Sequence, residues 1–187
     1  LIVVADNYAI PEATWRKLKP WAAMTIIAVP HEEQARRGAG QLALDLVLDT
    51  RAREHGIPVV GLEKLEDQLA VFDGFPEADQ VALLRQVVDT HGEIVALSDE
   101  MVRYYLARDL GGLLDWMARQ SAGDDARLQQ VFMNRLLVER NRNMSARAAS
   151  LMGEGGAFIA VGAGHLPGRD GVLSLLSARG FRVTRVY

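Results

Sequence analysis

The 187-residue sequence contains no cysteine, and this absence excludes several kinds of chemistry. Disulfide bonds, thiolate nucleophiles and cysteine-ligated zinc or iron–sulfur sites all need cysteine sulfur. The absence does not identify a compartment, because a chain without cysteine fits either side of a bacterial inner membrane.

Long apolar runs and an excess of positive charge are also missing. No run reaches the roughly 18 apolar residues of a membrane-spanning helix, and no charged stretch followed by an apolar one marks a signal peptide. The net charge is −3, and the arginines are scattered along the chain. We therefore expect no nucleic-acid partner and no membrane span.

The composition is that of one globular domain, with 49% hydrophobic and 24% charged residues. The chain opens at Leu1 without a methionine, inside an apolar, β-branched run at residues 1–5 that is typical of a buried strand. We therefore expect a single domain over residues 1–187 that is an N-terminally truncated fragment.

Three further apolar runs predict strands at residues 59–62, 157–161 and 181–186. A helical pattern that ends near Gly180 separates the last two runs, so the end of the chain predicts a βαβ unit. Between residues 76 and 153 the pattern changes to long helices. We predict an α/β fold with a small central β-sheet and a large helical insertion at 76–153 that forms a cap over a cleft.

The helices within this insertion are predicted at residues 77–94, 98–121 and 124–152, with Ser98 as the N-cap of the second. An earlier helix is predicted at 42–54. The polar, glycine-containing stretch at 31–40 predicts a surface loop.

His165 lies in a glycine-rich loop directly after the predicted strand at 157–161. Open α/β sheets place ligand sites beyond the carboxyl ends of their strands, and Gly162 and Gly164 permit a close approach of the backbone. The imidazole can therefore meet a ligand. It can equally make an ordinary hydrogen bond in a tight loop, and the spacing alone leaves both interpretations open.

Glu63 follows another predicted strand and precedes a helix. It is a candidate metal ligand or general base if it faces His165, or an ordinary first-turn carboxylate stabilised by the helix dipole. Arg140 and Asn141 lie in the last long helix. The guanidinium can bind a carboxylate of Glu63 or of a substrate, whereas the alternative is a solvated, charged helix face.

Three elements of the sequence together resemble the TraB/GumN family, which includes the Tiki proteins and is related to the ChaN and erythromycin-esterase groups. They are GLE…Q at 61–68, ERN..M at 139–144 and GAGHLPG at 162–168, and they occur in this order within residues 11–187. The Leu-Asp pair that ends at Asp45 is similar to another family element. The resemblance implies a metal-dependent peptidase or hydrolase acting on a peptide or small molecule. The localisation stays open, with the bacterial envelope, periplasmic or membrane-associated, preferred over the cytoplasm.

The resemblance also implies roles for single residues. The histidines of two GxxH motifs, with a glutamate, would hold a divalent zinc, manganese or cobalt ion, which assigns His165 and Glu63 to the metal. Glu63, Arg140, Asn141 and His165 would form the catalytic group. This chain shows only the second GxxH motif, whereas a hydrolytic site usually needs about three protein ligands. The ChaN relatives imply an alternative, a non-catalytic protein that binds haem or another ligand in the same cleft.

Overall fold

The computed structural model of the protein describes residues 4, 6–8, 10–120 and 125–186, and it divides the chain into two compact units. The first unit comprises Leu1–Arg51 and Phe72–Val102, and the second comprises Ala52–Val71 and Arg103–Tyr187. The cap predicted at 76–153 stays a prediction. Within the described ranges, every helix is too short or too polar to cross a membrane.

The described residues form α-helices, short 3₁₀ turns and one π-helical segment. In chain order the α-helices are α1 (Glu12–Trp15), α2 (Pro20–Ile27), α3 (His31–Gly38), α4 (Leu44–Glu54), α5 (Leu65–Asp73), α6 (Glu77–Asp89), α7 (Ile94–Leu106), α8 (Leu110–Gln120), α9 (Ala126–Met133), α10 (Arg140–Met152) and α11 (Val172–Ala178). The π-helical segment is Asn134–Glu139, and the 3₁₀ turns are Asp6–Tyr8, His91–Glu93 and Ala163–His165.

The first unit is built on the packing of α2 against α6. Its buried centre contains Tyr8, Trp15, Ala23 and Ile27, and the Tyr8 hydroxyl donates to the backbone oxygens of Ile27 and, at 2.9 Å, Val29. Proline stands at the first position of α2, where a missing N–H costs nothing because that N–H has no partner in a helix.

The second unit is built on the packing of α10 against α11. The buried face of α10 carries Asn141, Met144, Ser145 and Ala148, whose spacing of three and four residues places them on one stripe. Two of these side chains are small, so the helices can approach closely. Around this core lie partly buried side chains from α10 and from the non-helical segments: Leu62, Ala149, Met152, Ile159, Val161 and Phe181.

The prediction of an α/β fold with a central β-sheet is wrong, because the described residues contain helices and no strand. Residues 59–62, 157–161 and 181–186 have neither helical nor strand structure, and the predicted strand at 1–5 lies outside the described residues except for Val4. A helix makes its backbone hydrogen bonds within itself, whereas an extended segment is a strand only beside a second one. Single side chains of these runs pack on the helical core, among them Ile159, Val161 and Phe181, but the runs form no ladder.

The surface loop predicted at 31–40 is also wrong, since α3 occupies His31–Gly38. Two acidic residues lie in its first turn and two arginines in its last, which suits the helix dipole. Glu33 additionally pairs with Arg36 at 3.2 Å and with Arg37 at 3.8 Å. These local charge pairs stabilise a helix that has no apolar stripe.

The boundaries inside the long helical region differ in part from those predicted. Ser98 lies inside α7 rather than at its N-cap, and the chain turns between α7 and α8, where Arg108 has a φ of 57°. The predicted boundaries at Ser121 and Asp124 lie outside the described residues. The helix predicted at 124–152 is present as α9, the π-helical segment and α10 in succession.

Candidate functional site

The π-helical segment Asn134–Glu139 leads directly into the residues that form the candidate site. π-helical turns inside α-helices are rare and occur frequently at functional sites, because the wider turn changes which side chains face a neighbouring segment. Arg140 and Asn141 are the first two residues of α10 after this turn. Arg140 is half-buried, and Asn141 is only 3% exposed.

Arg140 forms a two-pronged salt bridge with Glu63. Its Nε donates to Glu63 Oε1 and its Nη2 to Oε2, both at 2.8 Å, and its Nη1 donates to the backbone oxygen of Leu136 at 3.2 Å. The Glu63 side chain is 9% exposed and that of Arg140 is 20% exposed. This geometry is the strongest form of an arginine–carboxylate contact, and it joins the segment after residue 62 to the start of α10.

Asn141 connects His165 to the loop that follows it. The amide Nδ2 donates to the backbone oxygen of Asp170 at 2.8 Å, and the amide oxygen lies 2.7 Å from His165 Nδ1. The other ring nitrogen, Nε2, has no hydrogen-bond partner among the described residues and is not fully buried. The imidazole is therefore held through one nitrogen, and its second nitrogen makes no hydrogen bond within the described residues.

The loop from residue 162 to residue 171 is tightly folded around His165. Gly168 has a φ of 84°, which favours glycine, and a Cβ on Gly171 would collide with the backbone oxygens of Leu166 and Pro167. Helix α8 packs against the 3₁₀ turn Ala163–His165. A Cβ on Gly164 would lie 3.2 Å from the thioether of Met117 in α8. The glycine at 164 therefore also permits α8 to pack closely against the turn.

The surroundings of His165 favour a neutral imidazole. Burial lowers the pKa of His165 most, the positive charge of Arg140 lowers this pKa further, and the carboxylate of Glu63 acts in the opposite direction. The net shift of the pKa is downward because burial and the Arg140 charge together outweigh the Glu63 carboxylate. A neutral ring has one nitrogen with a free lone pair, as a metal ligand or a base requires.

The donor atoms of this site fit only part of a metal site. A neutral imidazole suits zinc and related ions. Both oxygens of Glu63 already accept hydrogen bonds from Arg140, whose charge would repel a nearby cation. In the part of the chain that the structure describes, no group of three or more histidine, aspartate or glutamate side chains could hold a metal ion. His165 therefore fits as one ligand of a larger set.

The structure brings together the four residues singled out from the sequence: Glu63, Arg140, Asn141 and His165 form one hydrogen-bonded and electrostatically coupled group. Their catalytic roles stay predictions. Asp45 belongs to the first unit and lies in α4, where its carboxylate accepts a hydrogen bond from the backbone nitrogen of Leu46.

Sequence reasoning missed Asp170, whose backbone oxygen receives the Asn141 amide. Its side chain also lies 3.4 Å from Arg142 on the exposed face of α10. Every residue has a backbone carbonyl, so the residue type at position 170 could not predict this contact. The nearby Pro167 and the glycines at 168 and 171 were the available sign that the loop turns back on itself.

Comparison with known proteins gives consistent results over almost the whole chain. A metalloprotease TIKI homolog from Amphimedon queenslandica is 24% identical over 194 residues, covering 92% of this chain and 38% of the relative. Metalloprotease TIKI2 from Danio rerio is 24% identical over 193 residues, covering 90% of this chain and 37% of the relative. A TIKI homolog from Nematostella vectensis is 21% identical over 203 residues, covering 96% and 43%.

The chain spans only about two fifths of the length of these relatives. No solved structure matches it. The model of the TraB/PrgY/gumN family matches residues 3–185, which include the GLE…Q, ERN..M and GAGHLPG elements and all four residues of the hydrogen-bonded group. The chain therefore belongs to the TraB/PrgY/gumN family.

Proposed function

We propose that this chain supplies part of the active site of a metal-dependent peptidase, in which Nε2 of His165 is one metal ligand. The observation that carries the proposal is the state of that ring: Nδ1 is taken by Asn141, and Nε2 is left without a partner in the described residues. The metalloprotease relatives support the reaction class.

A bound divalent ion would lower the pKa of a water molecule and polarise the peptide carbonyl. The contribution of the chain's own residues is to hold and orient. Asn141 holds the His165 ring in one orientation from its second nitrogen, as the partners of metal-bound histidines commonly do. The tight loop, closed by Asp170 and Gly171, keeps His165 and Asn141 within hydrogen-bonding distance.

In this proposal Glu63 acts through Arg140 rather than as a free base. Each Glu63 oxygen accepts a hydrogen bond from the guanidinium, so the carboxylate is held against Arg140 and in turn fixes the position of that guanidinium. The guanidinium uses three of its five N–H groups, on Glu63 and Leu136. The remaining two can donate to a substrate carbonyl or carboxylate oxygen.

Metal titration and peptide cleavage test this proposal together. The 187-residue protein is titrated with Zn²⁺ in a calorimeter and assayed on a pool of fluorogenic peptides, with and without a chelator. We expect weak Zn²⁺ binding, because His165 is one ligand of a larger set, together with cleavage that the chelator abolishes and added Zn²⁺ restores. Both should be lost in His165→Ala. His55→Ala is the matched control, because His55 is an exposed histidine of the same unit.

Equal Zn²⁺ affinity and equal cleavage in the wild type and His165→Ala would refute the proposal. Binding of haem or another small ligand that raises the thermal midpoint equally with and without chelator would instead support the non-catalytic alternative.

A further inference from the structure

We propose that Asn141 is a positioning residue that sets the tautomer of His165, keeping the proton on Nδ1 and the lone pair on Nε2. The consequence for chemistry depends on the proposed function, because it matters only if Nε2 meets the metal or the substrate. The tautomer itself can be measured without any activity.

The Asn141 side chain has no room to reorient. The residue is 3% exposed and lies on the buried stripe of α10 with Met144, Ser145 and Ala148. Ser145 and Ala148 are fully buried at 0% exposure, which shows how closely this face is packed. An amide in such a place must keep its hydrogen bonds, because a buried donor or acceptor that loses its partner cannot replace it with water.

The backbone of the loop fixes which end of the Asn141 amide faces which partner. The Asp170 backbone oxygen can only accept a hydrogen bond, so the amide nitrogen of Asn141 must face it, at 2.8 Å. The opposite orientation would set two oxygens against each other. Asp170 is itself held in the tight loop, where the backbone nitrogen of Gly171 donates to the Gly168 oxygen at 3.2 Å.

The orientation of the Asn141 amide determines where the imidazole of His165 carries its proton. With its nitrogen on Asp170, Asn141 presents its oxygen to His165 Nδ1 at 2.7 Å. An amide oxygen can only accept, so Nδ1 must carry a proton. In the neutral ring the lone pair is then on Nε2, which has no competing partner among the described residues. A backbone oxygen thus determines, through one amide, which histidine nitrogen can react.

Nitrogen NMR of the imidazole is the direct test, using protein with ¹⁵N-labelled histidine at a pH where His165 is neutral. The His165→Ala spectrum assigns the signals. We expect Nδ1 to have the shift of a protonated ring nitrogen and Nε2 that of a lone-pair nitrogen. Asn141→Ala should move both shifts towards each other, because both tautomers are then populated. Ser145→Ala, on the same buried stripe, should leave both shifts unchanged.

A wild-type spectrum with the proton on Nε2 would overturn the proposal, and this result needs no variant to fold. An unchanged tautomer in folded Asn141→Ala would overturn it too. In the peptide assay Asn141→Ala should reduce kcat/KM by about 10–100-fold, the usual effect of removing a partner of a ligating histidine. A fixed Nδ1–H tautomer without chelator-sensitive cleavage would contradict only the proposed function. Chelator-sensitive cleavage with the proton on Nε2 would contradict only this inference.

Discussion

The Glu63–Arg140 salt bridge should behave as a buried pair, and a double-mutant cycle can measure this. Both contacts are 2.8 Å long, and the two side chains are 9% and 20% exposed. Removing one partner of a buried pair leaves the other charge without compensation and costs about 3–5 kcal/mol. We expect Arg140→Met to lower the free energy of unfolding by an amount in this range, because Glu63, the charge left without a partner, is the more buried of the two.

Glu63→Gln should lower the free energy of unfolding by less, about 2 kcal/mol, because the amide oxygen can still accept one of the two hydrogen bonds. The double variant carries no uncompensated charge. Its cost should therefore be smaller than the sum of the single costs by about 2–3 kcal/mol, the upper range of coupling between directly interacting residues.

The control is Arg142→Met, two positions along the same helix. Arg142 pairs with Asp170 at 3.4 Å, and both side chains are largely exposed, so its removal should cost less than about 1 kcal/mol. Hydrogen-exchange mass spectrometry at increasing urea concentration, read on a peptide of residues 134–152, reports the free energy of unfolding locally. Additive single costs, or equal costs for Arg140→Met and Arg142→Met, would refute the assignment of a buried pair.

Two further predictions concern His165 and its loop. Because the pKa of His165 is lowered in the folded protein, the folded protein binds a proton at His165 less well than the unfolded chain does. The corresponding contribution to stability is present above the unfolded pKa of roughly 6.5 and is lost as the pH falls through the folded pKa. NMR titration should show this pKa rising in Arg140→Met and falling further in Glu63→Gln, and the opposite directions would contradict the electrostatic account. Gly171→Ala should destabilise the second unit by about 1–3 kcal/mol because its Cβ has no space, as measured by urea unfolding, whereas Gly153→Ala, with a nearest atom at 3.4 Å, should cost less. Equal effects of the two alanines would show that the loop can relax.

The candidate site could be located from the sequence because its residues belong to short elements with a fixed order. Glu63 and Arg140 are 77 positions apart, and Asn141 and His165 are 24 apart, so no periodicity within one helix could have joined them. Their association came from the family resemblance, whereas residue chemistry alone supplied the possible pairing of a guanidinium with a carboxylate. The hydrogen bond between Asn141 and His165 was not foreseen.

The sheet could not be predicted reliably, for a reason that applies to each of its supposed strands. Alternation and β-branched residues show that a segment is extended and partly buried, and Ile159, Val161 and Phe181 do pack on the helical core. Alternation and residue type do not show whether a second extended segment lies beside the first. Phe158 is 80% exposed and Val186 is 85% exposed, so neighbouring positions of the same runs are not covered by the described residues.

Helix positions were predicted better, since their signals are local. The helix predicted to begin at residue 77, directly after a proline, does begin there as α6. The error at α3 has the same origin: its stabilising charges are local, but a polar stretch with two glycines was interpreted as a loop. Charge order along the stretch, acidic first and basic last, was the better guide.

The geometry also changes how an inactive Glu63 variant should be interpreted. Loss of activity in Glu63→Gln would ordinarily be taken to identify a general base, yet here the carboxylate holds Arg140, the residue beside Asn141 in the first turn of α10. The same loss would follow if α10 shifted and the Asn141 contact to His165 lengthened. The ¹⁵N spectrum of Glu63→Gln separates the two explanations. An unchanged His165 tautomer with lost cleavage favours direct chemistry by Glu63, whereas a changed tautomer shows that Glu63 acts through the helix.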